Sequence, residues 1–408
     1  MSDAMVIIGA GQAGGRAALT LRGQGFAGPV LLVGAEADAP YERPPLSKGF
    51  LTGQQAVADF TFATAAALEA AGIAFQPGCK VEAIDRESRT VRLGSGEQLG
   101  YDRLLLATGR RVRRLPVPGA VADRVLYLRD LTDARALQTE LARQPRLAIV
   151  GGGFIGLEVA ASAVALGCRP TVLELAPQLM GRAVPATLAA IVQARHEAAG
   201  VTVRLGVGLE RLEPATDGIA LRLSDGSSLT ADLVLVGIGA APRSELAEAA
   251  GLTVDGGIVV DATLRTSDPR IFAAGDVCAC PGTRGAGLLR LESWQNADAQ
   301  GALAARNMLG AELPYTELPW FWSDQYELTL QLAGHPELAR QVICREVGAD
   351  GRLLFHLADD GRLLGVSGVG PAAFAREFKL ARLLLERDAV LQPESLADPA
   401  TKLKSLLR

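Results

Sequence analysis

Two copies of one pattern limit what this chain can fold into. Each copy is a short apolar run, a glycine turn spaced G-x-G-x-x-G and a predicted helix; the apolar runs are residues 5–8 and 146–150, and the turns are residues 9–14 and 151–156. The first glycine permits a tight turn, the second lets a diphosphate approach the backbone, and the third lets the helix pack on the strand. We therefore predict an α/β fold with two Rossmann-like, three-layer βαβ domains and a smaller α+β domain at the C-terminus.

A second strand in each copy should end near an acidic residue. Such an acid lies about 20 residues past the glycines and binds the ribose hydroxyls. Glu174 ends the apolar run 170–174 and would repel a 2′-phosphate, which favours NADH; Arg182 is the nearby cation that would argue for NADPH. In the first copy, Glu36 follows the run 29–33, and it either contacts a ribose or caps a surface loop.

The segment between the two copies contains an unusual loop. Pro44 and Pro45 are adjacent and Lys48 follows, so we predict a stiff, extended loop ending in a lysine. A lysine near the N1/N5 edge of a flavin stabilises negative charge on the reduced ring. The alternative is a solvated lysine on a proline-rich turn. Residues 60–72 are alanine-rich and are predicted to be helical.

The order of elements gives predicted domain limits. A buried strand at 104–106 ends in the turn 107–109, another at 270–274 ends at Asp276, and a helix opens within 291–297. Prolines mark a linker before the second copy, and from about residue 314 the chain becomes richer in aromatic and basic residues. The predicted domains are residues 1–112 with 236–313, residues 113–235, and residues 314–408.

Charge and apolar content exclude several classes of protein. A net charge of −4 argues against a nucleic-acid binder, which needs a basic face. No apolar run approaches the roughly 18–20 residues of a membrane span, and the N-terminus leaves no room for a signal peptide. The five cysteines are odd in number and scattered, which suggests no disulfide framework. We expect a cytoplasmic protein without a membrane or nucleic-acid partner, either a monomer or a weak dimer.

These features together resemble the FAD-containing, pyridine-nucleotide-dependent ferredoxin reductases of bacterial oxygenase systems, in the glutathione-reductase-like superfamily. The resemblance covers the whole chain in order, including both glycine turns, the R-P-P-L-S-K loop at 43–48 and the P-W-F-W-S-D-Q segment at 319–325. It implies a flavoprotein that takes hydride from NADH onto FAD. It also implies that single electrons pass to a small iron–sulfur protein, a 2Fe-2S ferredoxin or a rubredoxin, which feeds an oxygenase.

The resemblance also assigns site residues by position. FAD is expected on Gly9, Gly11, Ala13, Gly14, Glu36, Arg43, Lys48, Val81, Ala107, Thr108, Gly109, Arg129, Gly275, Asp276 and Trp294. NADH is expected on Gly151, Gly153, Ile155, Gly156, Glu158, Glu174, Arg182 and Gly239, with Glu292 and Trp320 near the nicotinamide end. Relatives often carry Asp where this chain has Ala35, so Glu36 becomes the candidate ribose contact.

The expected chemistry needs few catalytic groups. Hydride transfer requires alignment of nicotinamide and flavin at about 3–3.5 Å rather than an acid or base. Lys48 and Glu158 are the catalytic candidates, as an ion pair beside flavin N5 that opens when nicotinamide enters. The helix near Gln295 is expected to aim its positive end at the flavin.

Two alternative functions stay open at this point. A flavin disulfide reductase or NADH oxidase needs a redox cysteine near the first helix or in residues 41–48, and neither is present; the cysteines at 278 and 280 are predicted to lie in a plain loop. A binding-type flavoprotein resembling apoptosis-inducing factor would favour a basic surface, whereas this chain is net acidic.

Two basic clusters are candidate docking surfaces for an acidic ferredoxin. They are Arg110, Arg111, Arg113 and Arg114, and then Arg376, Lys379, Arg382 and Arg387. The alternative is a solvated face, the usual fate of charge runs. His196, His335 and His356 are isolated and lack metal-ligand spacing, so no metal site is predicted and no chemistry is assigned to them.

Overall fold

Several of the parallel strands of this chain are short apolar runs that end directly before a glycine. The structure, a computed structural model, describes residues 3–119, 123–181, 183–348 and 350–407. The strands are β1 Met5–Ile8, β2 Val30–Val33, β3 Ile73–Gln76, β4 Val81–Asp85, β5 Thr90–Leu93, β6 Gln98–Gly100, β7 Arg103–Leu106, β8 Arg110–Val112, β9 Val125–Tyr127, β10 Leu147–Val150, β11 Thr171–Glu174, β12 Thr202–Leu205, β13 Leu209–Ala215, β14 Gly218–Leu223, β15 Ser228–Ala231, β16 Leu233–Val236, β17 Ala240–Pro242, β18 Ile258–Val259, β19 Ile271–Ala273, β20 Cys278–Pro281, β21 Leu288–Leu289, β22 Trp320–Gln325, β23 Leu328–Gly334, β24 Gln341–Val347, β25 Gly351–Leu357 and β26 Leu363–Gly370. The α-helices are α1 Gln12–Gly23, α2 Val57–Phe60, α3 Ala65–Ala70, α4 Leu131–Leu141, α5 Phe154–Ala165, α6 Ala186–Ala198, α7 Glu245–Ala249, α8 Trp294–Met308, α9 Phe374–Glu386 and α10 Pro393–Ala397.

The chain divides into two units. Unit 1 comprises residues 1–43, 56–111 and 240–317, and unit 2 comprises residues 44–55, 112–239 and 318–408. The predicted domain limits stay a prediction. Within the described ranges, no helix combines the length and apolar character needed to cross a bilayer.

Unit 1 is built on a parallel sheet of strand order β19-β7-β1-β2-β3. All four residues of β1 are buried, as expected for a parallel strand covered on both faces. Helix α1 packs closely on α8, and Gly301 permits this approach because a Cβ at that position would overlap the carbonyl oxygen of Ala13. This packing and the sheet place the glycine turn after β1 at the carboxyl edge of the strands, where α/β sheets bind ligands.

Unit 2 contains a second parallel sheet, β12-β11-β10-β16-β9, and an antiparallel sheet, β22-β23-β26-β25-β24. One buried apolar cluster includes residues of both sheets, such as Ile149 of β10 and Val369 of β26. The antiparallel sheet and α9 enclose a further cluster that contains Phe355, Phe374 and Phe378. The α/β class and the separate C-terminal sheet agree with the sequence prediction.

Three local predictions were wrong. The alanine-rich stretch 60–72 is not one helix, because α2 ends at Phe60 and the Thr64 side chain accepts a hydrogen bond from Ala67 N to start α3. Pro44–Ser47 forms a 3-10 turn rather than an extended loop, which the fixed φ of proline also permits. The cysteines at 278 and 280 lie on strand β20, whose backbone pairs with β18 and β21, rather than in a loop.

Candidate functional sites

The first glycine turn, between β1 and α1 of unit 1, contains glycines with different structural needs. Gly9 has φ +107°, and a Cβ there would overlap the carbonyl oxygen of Ala107. A Cβ on Gly14 would overlap the carbonyl oxygen of Gly9. Gly11, by contrast, has φ −81° and ψ −162°, and its Cβ would meet only Nη2 of Arg43 at 3.9 Å. The fold therefore requires glycine at Gly9 and Gly14, the first and last positions of the motif. It does not require glycine at the middle position, Gly11, where the missing side chain leaves open space above the turn.

Helix α1 begins at this space with its first backbone N–H groups uncapped. Its N-cap is Gly11, which has no side chain to accept a hydrogen bond, and its first turn contains no acidic residue. The N-terminus of a helix carries unpaired N–H donors and partial positive charge, which together bind phosphate. These donors and the open space fit the diphosphate of a dinucleotide.

Glu36, after β2, is held beside the same turn. Its Oε1 lies 2.5 Å from Nη2 of Arg43, and its Oε2 accepts a hydrogen bond from the Tyr41 hydroxyl. Because Nη2 of Arg43 is also the atom that a Cβ on Gly11 would approach, the guanidinium lies beside both the acid and the glycine turn. Glu36 therefore joins the segment after β2 to residues 41 and 43, and its contact with a ribose stays a prediction.

Asp276 and Glu292 meet at one arginine. Nε of Arg110 lies 3.0 Å from Oδ2 of Asp276, and the same guanidinium pairs with Glu292. Glu292 also accepts from Nη1 of Arg290 at 2.5 Å. Asp276 follows strand β19 and Glu292 precedes helix α8, so these ion pairs join two elements at the carboxyl edge of the unit 1 sheet.

The remaining residues predicted to contact FAD divide between the units. Those of unit 1 lie after β7 and β19 and at the starts of β4 and α8: Ala107, Thr108, Gly109, Gly275, Val81 and Trp294. A Cβ on Gly275 would lie 3.1 Å from the Cβ of Ala13, so this turn is close to α1. Lys48 and Arg129 belong instead to unit 2.

The second glycine turn, between β10 and α5 of unit 2, repeats the arrangement of the first. Gly151 has φ +110°, and a Cβ on Gly156 would overlap its carbonyl oxygen. Gly153, the N-cap of α5, has φ −83° and ψ −180°, and a Cβ there would meet no atom within 4 Å. The first turn of α5 has no acidic residue, and its apolar Ile155 is 41% exposed. A second uncapped helix N-terminus therefore lies under open space.

Glu174 lies at the edge of this second turn. Its Oε2 accepts from Gly152 N at 2.7 Å and its Oε1 accepts from Ala176 N at 2.8 Å. These bonds fix a negative charge where a ribose is expected in a dinucleotide site. Gly239, which has φ +98°, is exposed after β16. Arg182 lies outside the described residues.

Lys48 and Glu158 form the ion pair predicted from the sequence. Nζ of Lys48 lies 2.9 Å from Oε1 of Glu158, with the lysine side chain 24% exposed and the glutamate side chain 3% exposed. Glu158 is on the inner face of α5, and Lys48 directly follows the turn Pro44–Ser47, so both belong to unit 2. Their position beside a flavin stays a prediction.

Glu158 accepts two further hydrogen bonds, and their donors were not identified from the sequence. Ser47 Oγ donates to Oε2 at 2.5 Å, and Ser323 Oγ donates to Oε1 at 2.6 Å. Gln325 Nε2 donates to Ser323 Oγ at 3.0 Å, and Gln325 Oε1 lies 2.7 Å from Nε2 of His196. The sequence S-D-Q at 323–325 could have indicated these residues, because alternate residues of a strand lie on the same face and this places Ser323 beside Gln325.

Trp320, predicted near the nicotinamide end, lies at the start of β22. Its ring stacks on that of Trp322 with centroids 5.1 Å apart, and its Nε1 donates to Gln331 Oε1 at 3.3 Å. The guanidinium of Arg382 lies 4.8 Å from the centroid of the Trp320 ring. Trp320 is thus held by three neighbours of unit 2.

The first predicted docking cluster is largely paired internally. Arg110 forms the ion pairs described above, and Arg111 pairs with Glu245. The guanidinium of Arg114 lies 4.3 Å from the centroid of the Tyr127 ring. The ion pairs of Arg110 and Arg111 offset part of the positive charge that the segment presents to a partner, whereas Arg113 and Arg114 are exposed.

The second predicted docking cluster, on α9, is only partly paired. Nε of Arg382 lies 3.1 Å from Oε1 of Glu386, and Arg387 donates to the carbonyl oxygen of Leu407. Arg376 and Lys379 are exposed. These two side chains are the part of the cluster best placed to attract an acidic surface.

The buried cysteines and the possible metal ligands bear on whether the chain supports other chemistry. Burial raises the pKa of Cys278, whereas the hydrogen bond from Cys278 lowers the pKa of Cys280. A thiol relay requires a thiolate that a partner can reach, and these side chains are only 0% and 2% exposed. In the part of the chain that the structure describes, no group of three or more His, Cys, Asp and Glu residues could hold a metal ion.

Two family matches together cover most of the chain. Residues 3–301 match the family described as "Pyridine nucleotide-disulphide oxidoreductase", and residues 320–407 match the family described as "Reductase C-terminal". The first match contains both glycine turns. The second contains β22, where Trp320, Ser323 and Gln325 lie.

Similar proteins align along the full length. The chain is 42% identical to the anthranilate 1,2-dioxygenase system ferredoxin–NAD(+) reductase component of Burkholderia cepacia, covering 100% of both chains. It is 38% identical to putidaredoxin reductase CamA of Pseudomonas putida, covering 100% of this chain and 97% of that one. A crystal structure of the covalent putidaredoxin reductase–putidaredoxin complex has a TM-score of 0.94 and 37% identity, covering 99% of this chain and 98% of that chain.

Proposed function

The chain belongs to the pyridine nucleotide-disulphide oxidoreductase family and, within it, to the ferredoxin–NAD(+) reductases of oxygenase systems, and from this premise we propose which residues carry the activity. The protein is an NADH-dependent flavoprotein reductase. When bound, FAD would supply the chemistry that a nicotinamide alone lacks, the uptake of a hydride and the release of single electrons to an iron–sulfur protein. The residues of the chain bind, orient and shield these groups.

We assign FAD to the glycine turn of unit 1 and NADH to the glycine turn of unit 2. This assignment rests on the middle glycine of each turn, Gly11 and Gly153, because the fold itself does not require glycine at either position. Both have backbone angles open to any residue, and both lie under unused space at an uncapped helix N-terminus. Two such diphosphate sites in one chain suit a reaction between two dinucleotides.

The acidic residues near each turn are proposed to contact different coenzymes. Glu174, held by two backbone N–H groups, would accept hydrogen bonds from the ribose hydroxyls of NADH and repel the 2′-phosphate of NADPH. Glu36 would accept hydrogen bonds from the ribose of FAD beside Arg43. Asp276 and Glu292, joined through Arg110, would border the flavin end.

Lys48 and Glu158 are proposed to act at the flavin N5. The pair holds the lysine charge in place through a carboxylate that is 3% exposed. A cation at this position would stabilise negative charge on the reduced ring. Entry of nicotinamide would break the pair and turn Lys48 toward the ring.

The acceptor is proposed to be a 2Fe-2S ferredoxin. Support comes from the solved complex of putidaredoxin reductase with putidaredoxin, whose reductase chain this chain matches along 98% of its length. A rubredoxin is the alternative acceptor. Because NADH is supplied in the cytoplasm, we propose that the protein acts there, as a monomer or weak dimer.

The test is the anaerobic reduction of purified 2Fe-2S ferredoxins and rubredoxins, followed by absorbance, with NADH and NADPH compared. We expect kcat/KM for NADH to exceed that for NADPH by about 100-fold or more, equivalent to about 2.7 kcal/mol. In Glu174→Ala, removal of the charge that repels the 2′-phosphate should reduce the ratio of kcat/KM for NADH to kcat/KM for NADPH. Equal use of both coenzymes would contradict the role of Glu174, and reduction of rubredoxin alone would contradict the proposed acceptor.

Ferredoxin reduction should depend on ionic strength through α9. We expect Arg376→Gln with Lys379→Gln to raise KM for the ferredoxin roughly threefold at low salt, since rim charges mainly change the rate of association. The effect should vanish near 0.5 M salt, where the Debye length is only about 4 Å. The matched control is Arg306→Gln, an exposed basic residue on α8 of unit 1. If KM of the double variant matched the wild type at every salt concentration, α9 would not be the docking surface.

A further inference from the structure

A line of buried side chains in unit 2 leads to Glu158. We infer that His196, Gln325 and Ser323 are positioning residues that hold the Glu158 carboxylate in one orientation, an inference that rests on the proposed role of the Lys48–Glu158 pair. The line starts on helix α6, crosses strand β22 and ends on helix α5. His196, Ser323 and Gln325 are at most 3% exposed, so water does not compete for their hydrogen bonds.

The direction of each hydrogen bond follows from the carboxylate. Glu158 faces the Lys48 ammonium at 2.9 Å, and a carboxylate only accepts. Ser323 therefore directs its single proton to Oε1 at 2.6 Å and accepts from the Gln325 amide at 3.0 Å. The Gln325 carbonyl oxygen then faces Nε2 of His196 at 2.7 Å, so Nε2 carries the proton. Every donor in the line points toward Glu158.

At the end of the line away from Glu158, the hydrogen bonds of His196 and Tyr326 are donated in the same direction near neutral pH. Burial lowers the pKa of His196, so the ring is neutral there, protonated at Nε2 and accepting at Nδ1. The Tyr326 hydroxyl lies 3.2 Å from Nδ1, and burial raises the pKa of Tyr326 to about 12, so it keeps its proton. The charged groups beside them are Arg195, 4.1 Å from the Tyr326 ring centroid, and Glu327, which pairs with Arg195 at 2.6 Å.

This arrangement bears on how the ion pair opens. A buried carboxylate that loses its cation is costly unless other donors remain. Ser47 at 2.5 Å and Ser323 at 2.6 Å supply two neutral donors to Glu158 that do not depend on Lys48. Because Ser323 accepts from Gln325, the orientation that directs its own proton at Glu158 is favoured. The line thus keeps Glu158 hydrogen-bonded while Lys48 moves to the flavin.

The test uses the holoenzyme and Gln325→Met, which interrupts the line with a side chain of similar volume. Rapid anaerobic reduction of the flavin by NADH should slow roughly tenfold, whereas the Kd for NADH should stay unchanged because Gln325 is not among the residues predicted to contact the nucleotide. The matched control is Ser367→Ala, which removes a buried serine bonded at 2.9 Å to His356 elsewhere in unit 2. Its flavin should be reduced at the wild-type rate.

A double-variant comparison separates positioning from general damage. If Gln325 acts through Glu158, adding Gln325→Met to Glu158→Gln should leave the rate of Glu158→Gln unchanged. Ser323→Ala should reproduce the slow rate of Gln325→Met, and Ser323→Thr, which keeps the hydroxyl, should restore it. These outcomes support the inference even if one variant folds poorly.

Three results would overturn the inference while leaving the proposed function intact: a wild-type rate in both Gln325→Met and Ser323→Ala, an equal slowing in Ser367→Ala, or a further loss in the double variant. Failure of NADH to reduce the wild-type flavin would instead contradict the proposed function itself.

Discussion

Replacing Gly153 with valine is expected to abolish NADH use without unfolding the protein. The backbone angles of Gly153, φ −83° and ψ −180°, suit a β-branched residue, and no atom lies within 4 Å of the added Cβ. The isopropyl group would instead fill the space assigned to the diphosphate. We expect the Kd for NADH to rise at least about 100-fold, or about 2.7 kcal/mol, with FAD content and Tm close to wild type.

The matched control for this prediction is Gly156→Val. Its Cβ would overlap the carbonyl oxygen of Gly151, so this variant should lose stability as well as NADH binding. The measurements are NADH titration, the flavin absorbance of the purified protein and thermal unfolding. An unchanged Kd in Gly153→Val would refute the assignment of NADH to this turn.

The second large effect is expected from Lys48→Met. The variant leaves a carboxylate that is 3% exposed without its cation, while the serine donors remain. Removing one partner of a fully buried pair costs about 3–5 kcal/mol, and the partial exposure of Lys48 reduces this to about 2 kcal/mol. Hydride transfer to the flavin should slow about 100-fold, because a charge aimed at the reacting ring is lost.

Stability and rate should respond differently to a compensating change. In Lys48→Met with Glu158→Gln the buried charge is neutralised, so the free energy of unfolding should return most of the way to the wild-type value, whereas the hydride-transfer rate should stay low. Stopped-flow flavin reduction and denaturant unfolding measure the two quantities. Normal rates in both Lys48→Met and Glu158→Gln would exclude a role for the pair in hydride transfer.

The parts of the fold that could be predicted are those set by neighbouring residues. Strand β1, the turn at Gly9 and helix α1 follow from a local apolar run and from glycine spacing, and the same holds for β10 and α5. The errors were also local. Thr64 begins a new helix inside an alanine-rich stretch, and the prolines at 44 and 45 are compatible with both a 3-10 turn and an extended chain.

The site was predicted less completely because much of it depends on distant contacts. The residues Glu36 and Arg43 are near each other in sequence, so their pairing has a local basis. The line to Glu158 joins His196 to Gln325 across 129 positions and Ser323 to Glu158 across 165. A lone histidine or serine carries no periodic signal, so the fold is needed to bring them together.

The path of the chain around Lys48 has a consequence for recombination among related reductases. Residues 44–55 leave unit 1 to join unit 2 and then return, so the lysine belongs to the unit to which we assign the nicotinamide coenzyme. A chimera that exchanged only the two long segments of unit 2 would therefore combine the Glu158 of one parent with the Lys48 of the other. A chimera that exchanges unit 2 as a whole, and coenzyme specificity with it, must therefore also exchange the twelve residues 44–55.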